Sequence, residues 1–219
     1  MTNTLEINQV SKAYKGKRSV QALDNIDLKA EGGDFIAVLG PSGCGKSTLM
    51  LTAGGLLAPD SGSALINGQN LYDLNNSKRA EFRAKNLAFV YQEFHLIPYL
   101  NVLDNVRIAD LALDGGSEEK ALAILEKFGL KDRADHLPSE LSVGEQQRAA
   151  LSRAIYTGAK IILADEPTGN LDSENAESVL QALKVFAQEG GIVLMVTHDD
   201  RAVAYANKKM TMLLGQWSA

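Results

Sequence analysis

The sequence predicts an α/β fold with a mostly parallel core sheet, a small antiparallel β subdomain and an inserted α-helical lobe. A glycine-rich loop follows an apolar strand pattern, and short apolar runs alternate with helix-compatible segments. A stretch of about sixty residues in the middle interrupts that alternation with helical spacing alone. Strands that alternate with helices favour parallel pairing through right-handed crossovers. We expect one domain over residues 1–219, with a catalytic core at about 1–91 and 158–219 and a helical lobe at about 92–157.

Eight short segments have the residue pattern of β-strands. The first two alternate apolar and polar residues on either side of a basic loop at 15–18, which predicts antiparallel pairing. The third is continuously apolar, as expected of a buried parallel strand, and Asn67-Gly68 after the fourth indicates a hairpin turn. The eight segments are residues 5–7, 23–28, 35–39, 64–66, 87–91, 161–164, 192–197 and 210–214.

Helical patterns occupy the longer segments between these strands. A polar helix is expected at 77–85, and the apolar spacing from Asn101 to about Thr157 is helical. Ser117 is a candidate N-cap there, because Glu118 and Glu119 would follow in the first turn. A last helix is predicted by an apolar stripe at residues 176, 179, 180, 183, 186 and 187.

The overall composition is that of an ordinary globular protein, with 45% hydrophobic and 22% charged residues in 219. The net charge of −5 argues against binding to nucleic acid over a wide surface. The single cysteine, Cys44, excludes an internal disulfide and suits a reducing cytosol. The N-terminus lacks a basic-then-apolar pattern, so we expect no secretory signal.

The most informative motif is the glycine-rich loop after the strand at 35–39. It matches the pattern G-x-x-x-x-G-K-[ST] in the strand–loop–helix context that the pattern requires. Its glycines allow backbone N–H groups to turn toward a phosphate, its lysine can reach the β- and γ-phosphates, and its serine hydroxyl can bind Mg²⁺. The predicted nucleoside triphosphate site consists of Gly40, Pro41, Ser42, Gly43, Cys44, Gly45, Lys46, Ser47 and Thr48.

Two carboxylates follow the apolar strand at 161–164. Because ligands of open parallel sheets lie beyond the carboxyl ends of the strands, Asp165 and Glu166 are expected near the phosphate loop. Asp165 suits the binding of Mg²⁺, and Glu166 suits the role of base for an attacking water. Adjacent acids are also common in loops and at helix starts, so it is their pairing with the phosphate loop that favours a catalytic interpretation.

The segment LSVGEQQR at 141–148 resembles the signature L-S-G-G-Q of the nucleotide-binding domains of ATP-binding-cassette (ABC) proteins. The resemblance extends over nearly all of the chain, with every motif in the expected order, and it implies a P-loop NTPase fold. It implies that Tyr14 stacks on adenine, that Gln92 is the Q-loop glutamine and that His198 contacts the γ-phosphate. On this resemblance the catalytic residues are Lys46, Gln92, Glu166 and His198, and the Mg²⁺ ligands are Ser47, Gln92 and Asp165.

The signature departs from the family pattern at two positions. Val143 replaces its first glycine and Glu145 replaces its glutamine. The serine and the second glycine, which make the principal γ-phosphate contacts in the family, are kept as Ser142 and Gly144. We therefore expect ATP binding to be retained, while the effect on the ATPase rate stays open.

The resemblance also implies partners. In ABC proteins the signature docks on the nucleotide of a second subunit, so two copies should enclose two ATP molecules head to tail, with Asp172 linking the sites. The apolar segment that follows Gln92 either packs between the lobes or lines a groove for a membrane permease subunit, which would dock near residues 92–100. Such a chain is cytoplasmic and lies on the inner (plasma) membrane through that permease.

The segment at 164–172, ADEPTGNLD, resembles the ABC branch that serves lipoprotein release, macrolide export and cell division. The expected function is that of the ATP-binding and ATP-hydrolysing subunit of a transporter, which powers export or extraction of a substrate. Three alternatives stay open: a cell-division-type signalling complex that moves no substrate, a soluble ABC ATPase, and a nucleotide-gated scaffold. The acidic net charge argues against the soluble ATPase, and Glu166 argues against the scaffold.

Overall fold

The fold consists of two β-sheets and seven described α-helices. The structure is a computed structural model, which describes residues 2–16, 19–112 and 116–218. Residues 17 and 18 of the expected basic loop lie outside these ranges. The described strands are β1 (Thr4–Tyr14), β2 (Val20–Glu31), β3 (Phe35–Leu39), β4 (Ser61–Ile66), β5 (Gln69–Asn70), β6 (Leu87–Tyr91), β7 (Ile161–Asp165), β8 (Ile192–Thr197), β9 (Lys208–Leu213) and β10 (Gln216–Ser218). The described α-helices are α1 (Lys46–Ala53), α2 (Asn76–Asn86), α3 (Val102–Arg107), α4 (Glu118–Lys127), α5 (Val143–Tyr156), α6 (Ser173–Gln188) and α7 (Asp200–Val203).

The core sheet has the strand order β10-β9-β3-β8-β7-β6. Every neighbouring pair is parallel except the β9–β10 hairpin at one edge. Strands β3 and β8 are buried along their whole length, as their continuous apolar sequences predict. One buried cluster packs α1 against one face of this sheet, and another packs α6 against the opposite face. The mostly parallel α/β core is therefore confirmed.

The second sheet is antiparallel, with the order β2-β1-β4-β5. Its first two strands are much longer than the alternating segments at 5–7 and 23–28, and register shifts mark bulges between them. Strand β10 was not predicted from the sequence. Its turn places Leu214 at φ 49° and Gly215 at φ 79°, and a leucine gives no sequence signal for a left-handed turn position.

The long helical region consists of α3, α4 and α5, joined by turns and short 3₁₀ segments. These helices share a buried cluster of their own, separate from the two clusters that flank the core sheet. The expected N-cap is confirmed, because the hydroxyl of Ser117 accepts a hydrogen bond from the backbone N–H of Lys120 at 3.1 Å. Among the described residues, no helix combines the length and apolar character needed to cross a bilayer.

We expect Leu163→Ala to destabilise the protein by about 2–5 kcal/mol, because it leaves a cavity in a strand that is fully buried at this position. Leu163 lies in β7 within the cluster that also contains α1 residues. The measurement is the free energy of unfolding from urea titration. Leu214→Ala is the matched control, since that leucine is 81% exposed and its loss should change stability by less than about 0.5 kcal/mol. Equal effects of the two substitutions would contradict this account of the core.

Candidate nucleotide site

The phosphate loop connects β3 to α1, and its lysine folds back over the loop. The Nζ atom of Lys46 donates hydrogen bonds to the carbonyl oxygens of Gly40 at 2.7 Å and Pro41 at 3.1 Å. The lysine is only 9% exposed, so its charge is held within the loop rather than in open solvent. A cation fixed in this way, at the N-terminus of a helix that follows a glycine-rich loop, suits the binding of an anionic phosphate group.

Two glycines allow neighbouring strands to approach the phosphate loop closely. A Cβ atom on Gly45 would lie 2.1 Å from the carbonyl oxygen of Ala22, and one on Gly40 would lie 2.2 Å from that of Met212. The backbone N–H of Gly215 also donates to the carbonyl oxygen of Cys44 at 2.9 Å. The C-terminal hairpin therefore supports the phosphate loop. Sequence reasoning missed this role, because the hairpin is about 170 residues away along the chain and carries no motif.

Asp165 and Ser47 lie together, as the sequence predicted. Burial raises the pKa of Asp165, a hydrogen bond from the Ser47 side chain lowers it, the nearby Glu166 raises it and the charge of Lys46 lowers it. A hydroxyl and a carboxylate are oxygen ligands of the kind that Mg²⁺ prefers. The described residues contain no group of three or more His, Cys, Asp or Glu side chains that could hold a metal ion by themselves. This donor set therefore fits a Mg²⁺ ion that takes its other ligands from water and phosphate.

The Glu166 carboxylate is held at the end of β8. Its Oε2 atom accepts hydrogen bonds from the Thr197 hydroxyl at 3.0 Å and from the backbone N–H of His198 at 3.2 Å. Its Oε1 atom lies 2.8 Å from Nδ1 of His198, whose side chain is 71% exposed. Since a carboxylate only accepts hydrogen bonds, Nδ1 must carry a proton in this pair. The structure thus brings the predicted base and the predicted switch histidine into direct contact.

Gln92 has a different neighbour. Its Nε2 atom donates to the side-chain oxygen of Asn170 at 3.2 Å, and the Asn170 amide donates to the backbone oxygen of Gln92 at 3.4 Å. Within the described ranges, no hydrogen bond joins Gln92 to the Ser47–Asp165 pair. The structure therefore places the Q-loop glutamine against the segment that leads to Asp172, and it does not bring the three expected Mg²⁺ ligands into one hydrogen-bonded group.

Tyr14 lies at the end of β1, beside the first turn of α1. Its hydroxyl is 3.4 Å from Oγ1 of Thr48, and 45% of the residue is exposed. A cleft of about 200 Å³ opens between them. It is lined by Tyr14, Val20, Ala22, Gly43, Gly45, Lys46, Ser47 and Thr48. A half-exposed aromatic ring at one side of the phosphate loop is suitably placed for a flat ligand group that extends from the phosphates.

The signature segment begins helix α5 with a capping box. The Ser142 hydroxyl accepts from the backbone N–H of Glu145 at 3.3 Å, and the Glu145 carboxylate accepts from the backbone N–H of Ser142 at 2.8 Å. Arg133 adds an ion pair at 3.0 Å. The Ser142 backbone hydrogen bond, followed by that from Arg133, lowers the pKa of Glu145 to about 2. The family's glutamine is thus replaced by a residue that fixes the start of the helix, while Val143 is 47% exposed.

Gly144 is packed against its own chain. A Cβ atom on this glycine would lie 2.2 Å from the side-chain oxygen of Asn175, which also accepts a hydrogen bond from Arg148. Asn175 in turn bonds Asp172 through its backbone N–H at 2.9 Å and its side-chain amide at 2.7 Å. Within the described ranges, no hydrogen bond joins Ser142 to the phosphate loop of the same chain. The signature is therefore connected to Asp172 through Asn175, and Ser142 is not bonded to the phosphate loop of its own chain within the described ranges.

The loop after Gln92 is strained and tightly held. Phe94 and His95 both have φ 49°, in the left-handed region. Arg153 of α5 donates to the carbonyl oxygens of Phe94 at 2.8 Å and His95 at 2.6 Å. Leu96 packs against the cluster of the helical region, which supports the packing interpretation for that residue. Tyr99, however, is 79% exposed. The role of Arg153 was not predicted from the sequence, because 58 residues separate it from His95.

Together these features define a phosphate-binding α/β protein whose lysine, hydroxyl and carboxylates meet beyond the ends of parallel strands. The sequence model of the family described as "ABC transporter" matches residues 23–169. The chain is 41% identical over 217 residues to an uncharacterised ABC transporter ATP-binding protein, MJ1508, of Methanocaldococcus jannaschii, covering 97% of this chain and 96% of that one. The chain belongs to the ABC transporter family, whose ATP-binding cassettes hydrolyse ATP.

Further relatives lie in the branch that the sequence indicated. The lipoprotein-releasing system ATP-binding protein LolD of Shewanella frigidimarina is 38% identical over 214 residues, which cover 95% of this chain and 89% of LolD. The macrolide export ATP-binding/permease protein MacB of Chlorobium luteolum is 41% identical over 214 residues, or 96% of this chain. The chain spans only 32% of that MacB, about a third of its length.

The fold is similar to that of a solved dimer. The post-hydrolysis dimeric state of the ATP-binding cassette MJ0796, bound to ADP and Pi, matches with a TM-score of 0.91 and 34% identity. The match covers 98% of this chain and 97% of the MJ0796 chain. The expected ABC-type P-loop NTPase fold is thereby confirmed.

We expect Glu145→Gln to reduce stability at neutral pH by about 1 kcal/mol, because it weakens the capping box and the Arg133 ion pair. Folding lowers the pKa of Glu145 from 4.5 to about 2, so the carboxylate stabilises the protein above about pH 4.5 and loses this effect as pH falls toward 2. The gap between variant and wild type in urea unfolding should therefore narrow from pH 7 to pH 3.5. Glu126→Gln, in an exposed pair with Lys131, is the control and should change stability by less than about 0.5 kcal/mol. A gap that widens at acid pH would refute this role.

Proposed function

We propose that the chain is the ATP-hydrolysing subunit of a membrane transporter, which closes as a dimer on ATP to power export or extraction of a substrate. The proposal depends mainly on the position of Glu166, whose carboxylate is held by Thr197 and His198 next to Asp165 at the ends of the core strands. The similarity of the chain to LolD and MacB favours a transport role over a signalling complex that moves no substrate. The catalytic core is proposed at about 1–91 and 158–219, and the helical lobe at about 92–157.

Nucleotide binding begins at the phosphate loop. The ammonium group of Lys46 exchanges its carbonyl partners Gly40 and Pro41 for phosphate oxygens, which accept stronger, charge-assisted hydrogen bonds. Residues 40–48 surround the phosphates, and the half-exposed ring of Tyr14 covers one face of the adenine. Ser47, Gln92 and Asp165 would hold Mg²⁺. When bound, Mg²⁺ neutralises charge that develops on the transferred phosphoryl group.

Hydrolysis uses Glu166 as the general base for the attacking water. Its carboxylate is kept in place by the Thr197 hydroxyl, which leaves one oxygen for His198 or for the water. A His198 that is neutral and protonated at Nδ1 presents Nε2 as an acceptor, which cannot donate to a phosphate oxygen. His198 must therefore release Glu166 and change tautomer before it donates to the γ-phosphate.

The second copy supplies the other wall of the site. Ser142 and Gly144 lie on a signature turn that has no hydrogen bond to its own phosphate loop within the described ranges, and they contact the γ-phosphate held by the partner. Asp172, bonded to Asn175 next to that turn, lies between the two sites. This proposal is supported by the similarity to the dimeric MJ0796 cassette. A γ-phosphate that joins both surfaces favours the closed dimer, and its loss on hydrolysis favours opening.

The proposed surface for the membrane permease is the turn around Tyr99. The buried Asn105 fixes this turn, because its side chain bonds Ile97 N–H at 2.6 Å and the Ile97 and Leu100 carbonyl oxygens at 3.0 and 2.9 Å. A large aromatic side chain on a rigid turn loses little entropy when it is buried by a partner. We place the chain on the cytoplasmic face of the inner (plasma) membrane, attached through this surface.

We expect Glu166→Gln to lower kcat for ATP hydrolysis by about 100-fold or more, because the amide cannot accept the proton of the attacking water. ATP should then stay bound, so that ATP with Mg²⁺ converts the variant from monomer to dimer in size-exclusion chromatography while ADP does not. Glu189→Gln, an exposed position after α6, is the control and should behave as wild type. A variant that binds ATP yet stays monomeric, with or without membranes, would refute the dimer model.

We expect Tyr99→Asp to abolish binding to membranes that contain the permease, because a charge on the rigid turn opposes burial of this surface. The measurement is the fraction of purified chain that sediments with membrane vesicles from the source cells. The ATPase activity of the isolated chain should be unchanged. Leu111→Asp, at a leucine that is 86% exposed elsewhere on the helical region, should sediment like wild type. Equal loss in both variants would count against a specific surface at Tyr99.

A further inference from the structure

Gln147 is a fully buried polar residue in the second turn of α5, and it contacts the catalytic segment. Its Nε2 atom donates a hydrogen bond to the carbonyl oxygen of Pro167 at 2.6 Å. Pro167 follows Glu166 directly, so the bond fixes the carbonyl group of the residue after the proposed base. The helix that begins at the signature thus reaches the catalytic glutamate of its own chain.

The backbone at Glu166 needs such support. Glu166 has φ 46°, a left-handed conformation that is unfavourable for a residue with a Cβ atom. On one side its N–H donates to the carbonyl oxygen of Val196 in β8 at 2.9 Å. On the other side, the carbonyl oxygen of Glu166 accepts from the backbone N–H of Gly169 at 3.1 Å, and the Gln147 bond fixes the carbonyl of the following residue, Pro167. A strained conformation persists only where surrounding contacts hold it, and these bonds hold the backbone on both sides of Glu166.

The burial of Gln147 is not explained by stability. Its Oε1 atom is buried and has no hydrogen-bond partner in the described part of the chain. An unsatisfied buried acceptor destabilises the folded state, whereas an apolar side chain of the same shape would not. The glutamine therefore lowers stability at its Oε1 atom, while its Nε2 atom orients the carbonyl group of Pro167, the residue after Glu166. Residues that lower stability without other reason are typical of functional positions.

We propose that Gln147 is a positioning residue for ATP hydrolysis, which holds the Glu166 carboxylate in line with the attacking water from the signature helix of the same chain. The proposal rests on the proposed function, because it requires Glu166 to be the base. In the closed dimer, Ser142 on the same helix contacts the nucleotide of the opposite site. Each glutamate would then be positioned by a helix whose first turn senses the other ATP.

The first test replaces the donor without changing the shape of the side chain. Gln147→Met should lower kcat by about tenfold or more, since small misplacement of a catalytic group costs this much, while KM for ATP and ATP-driven dimerisation stay as in wild type. The thermal midpoint should stay close to that of wild type, because the substitution removes the unsatisfied Oε1 atom but leaves the Pro167 carbonyl oxygen without its donor. Gln181→Met, at an exposed position of α6, is the matched control. A fall in the thermal midpoint and in ATP binding together with kcat would show a structural role only and overturn the inference.

The second test uses mixed dimers in which a single site can hydrolyse ATP. In the first mixed dimer, one protomer carries Glu166→Gln and the other carries Gln147→Met. The one site that can hydrolyse ATP then contains the Glu166 of the Gln147→Met protomer. In the second mixed dimer, one protomer carries both substitutions, so the one site that can hydrolyse ATP contains the Glu166 of the unaltered protomer and the signature of the altered one. We expect the tenfold loss in the first dimer and near-normal kcat in the second.

Equal kcat in the two mixed dimers, or a loss in the second alone, would overturn the inference while leaving the proposed function in place. Failure of the Glu166→Gln chain to dimerise with ATP would overturn both together. Size-exclusion chromatography of the Glu166→Gln chain therefore shows whether a negative result concerns only the role of Gln147 or also the proposed ATP-driven dimer.

Discussion

The register of three neighbouring parallel strands is the constraint on which the site depends. Leu39 of β3 lies opposite Thr197 of β8, and Asp165 of β7 lies opposite Val196. The phosphate loop, the Glu166 turn and His198 therefore leave the sheet at the same level, although the phosphate loop is more than 100 residues from the other two in sequence. A slip of one residue in either pairing would turn the side chains of a strand to the opposite face and separate the carboxylates from the lysine. Complete burial of β3 and β8 specifies that register strongly.

Helix α5 is the second organising element, because its side chains bond to three separate segments: Pro167, Asn175 and the loop after Gln92. Its start is fixed by the Ser142–Glu145 capping box, its first turns bond Pro167 and Asn175, and Arg153 near its end holds the strained loop after Gln92. A rigid helix with contacts at both ends transmits displacement as a body. The loop after Gln92 and the Glu166 turn are thus connected through one element, which would give a physical route between the proposed permease surface and the proposed base.

The Glu166–His198 contact would keep the proposed base inactive before ATP binds. With Nδ1 of His198 donating to Oε1, one oxygen of the carboxylate is occupied, and in the neutral imidazole the other ring nitrogen is an acceptor rather than a donor. The hydrogen bond between Gln92 and Asn170 would act in the same way, because it keeps a proposed Mg²⁺ ligand bound to another side chain of the protein. Both contacts are replaceable hydrogen bonds between side chains that are at least partly exposed, so exchange for ligand oxygens is inexpensive. In the proposed mechanism, Gln92 and Glu166 therefore need only to exchange these hydrogen-bond partners when ATP binds.

The sequence by itself determined the parallel core, the phosphate loop and the Asp165–Glu166 pair, because short apolar runs and a glycine-rich motif are local signals of the chain. Only the tertiary structure decided that Met212 and Gly215 enclose the phosphate loop, that Gln92 lies against Asn170, and that Gln147 and Arg153 bind backbone carbonyl oxygens. A buried glutamine or arginine in a helix has no recognisable pattern, since its partner is a carbonyl group that every residue carries. Such contacts exist only once the strands and α5 have packed together.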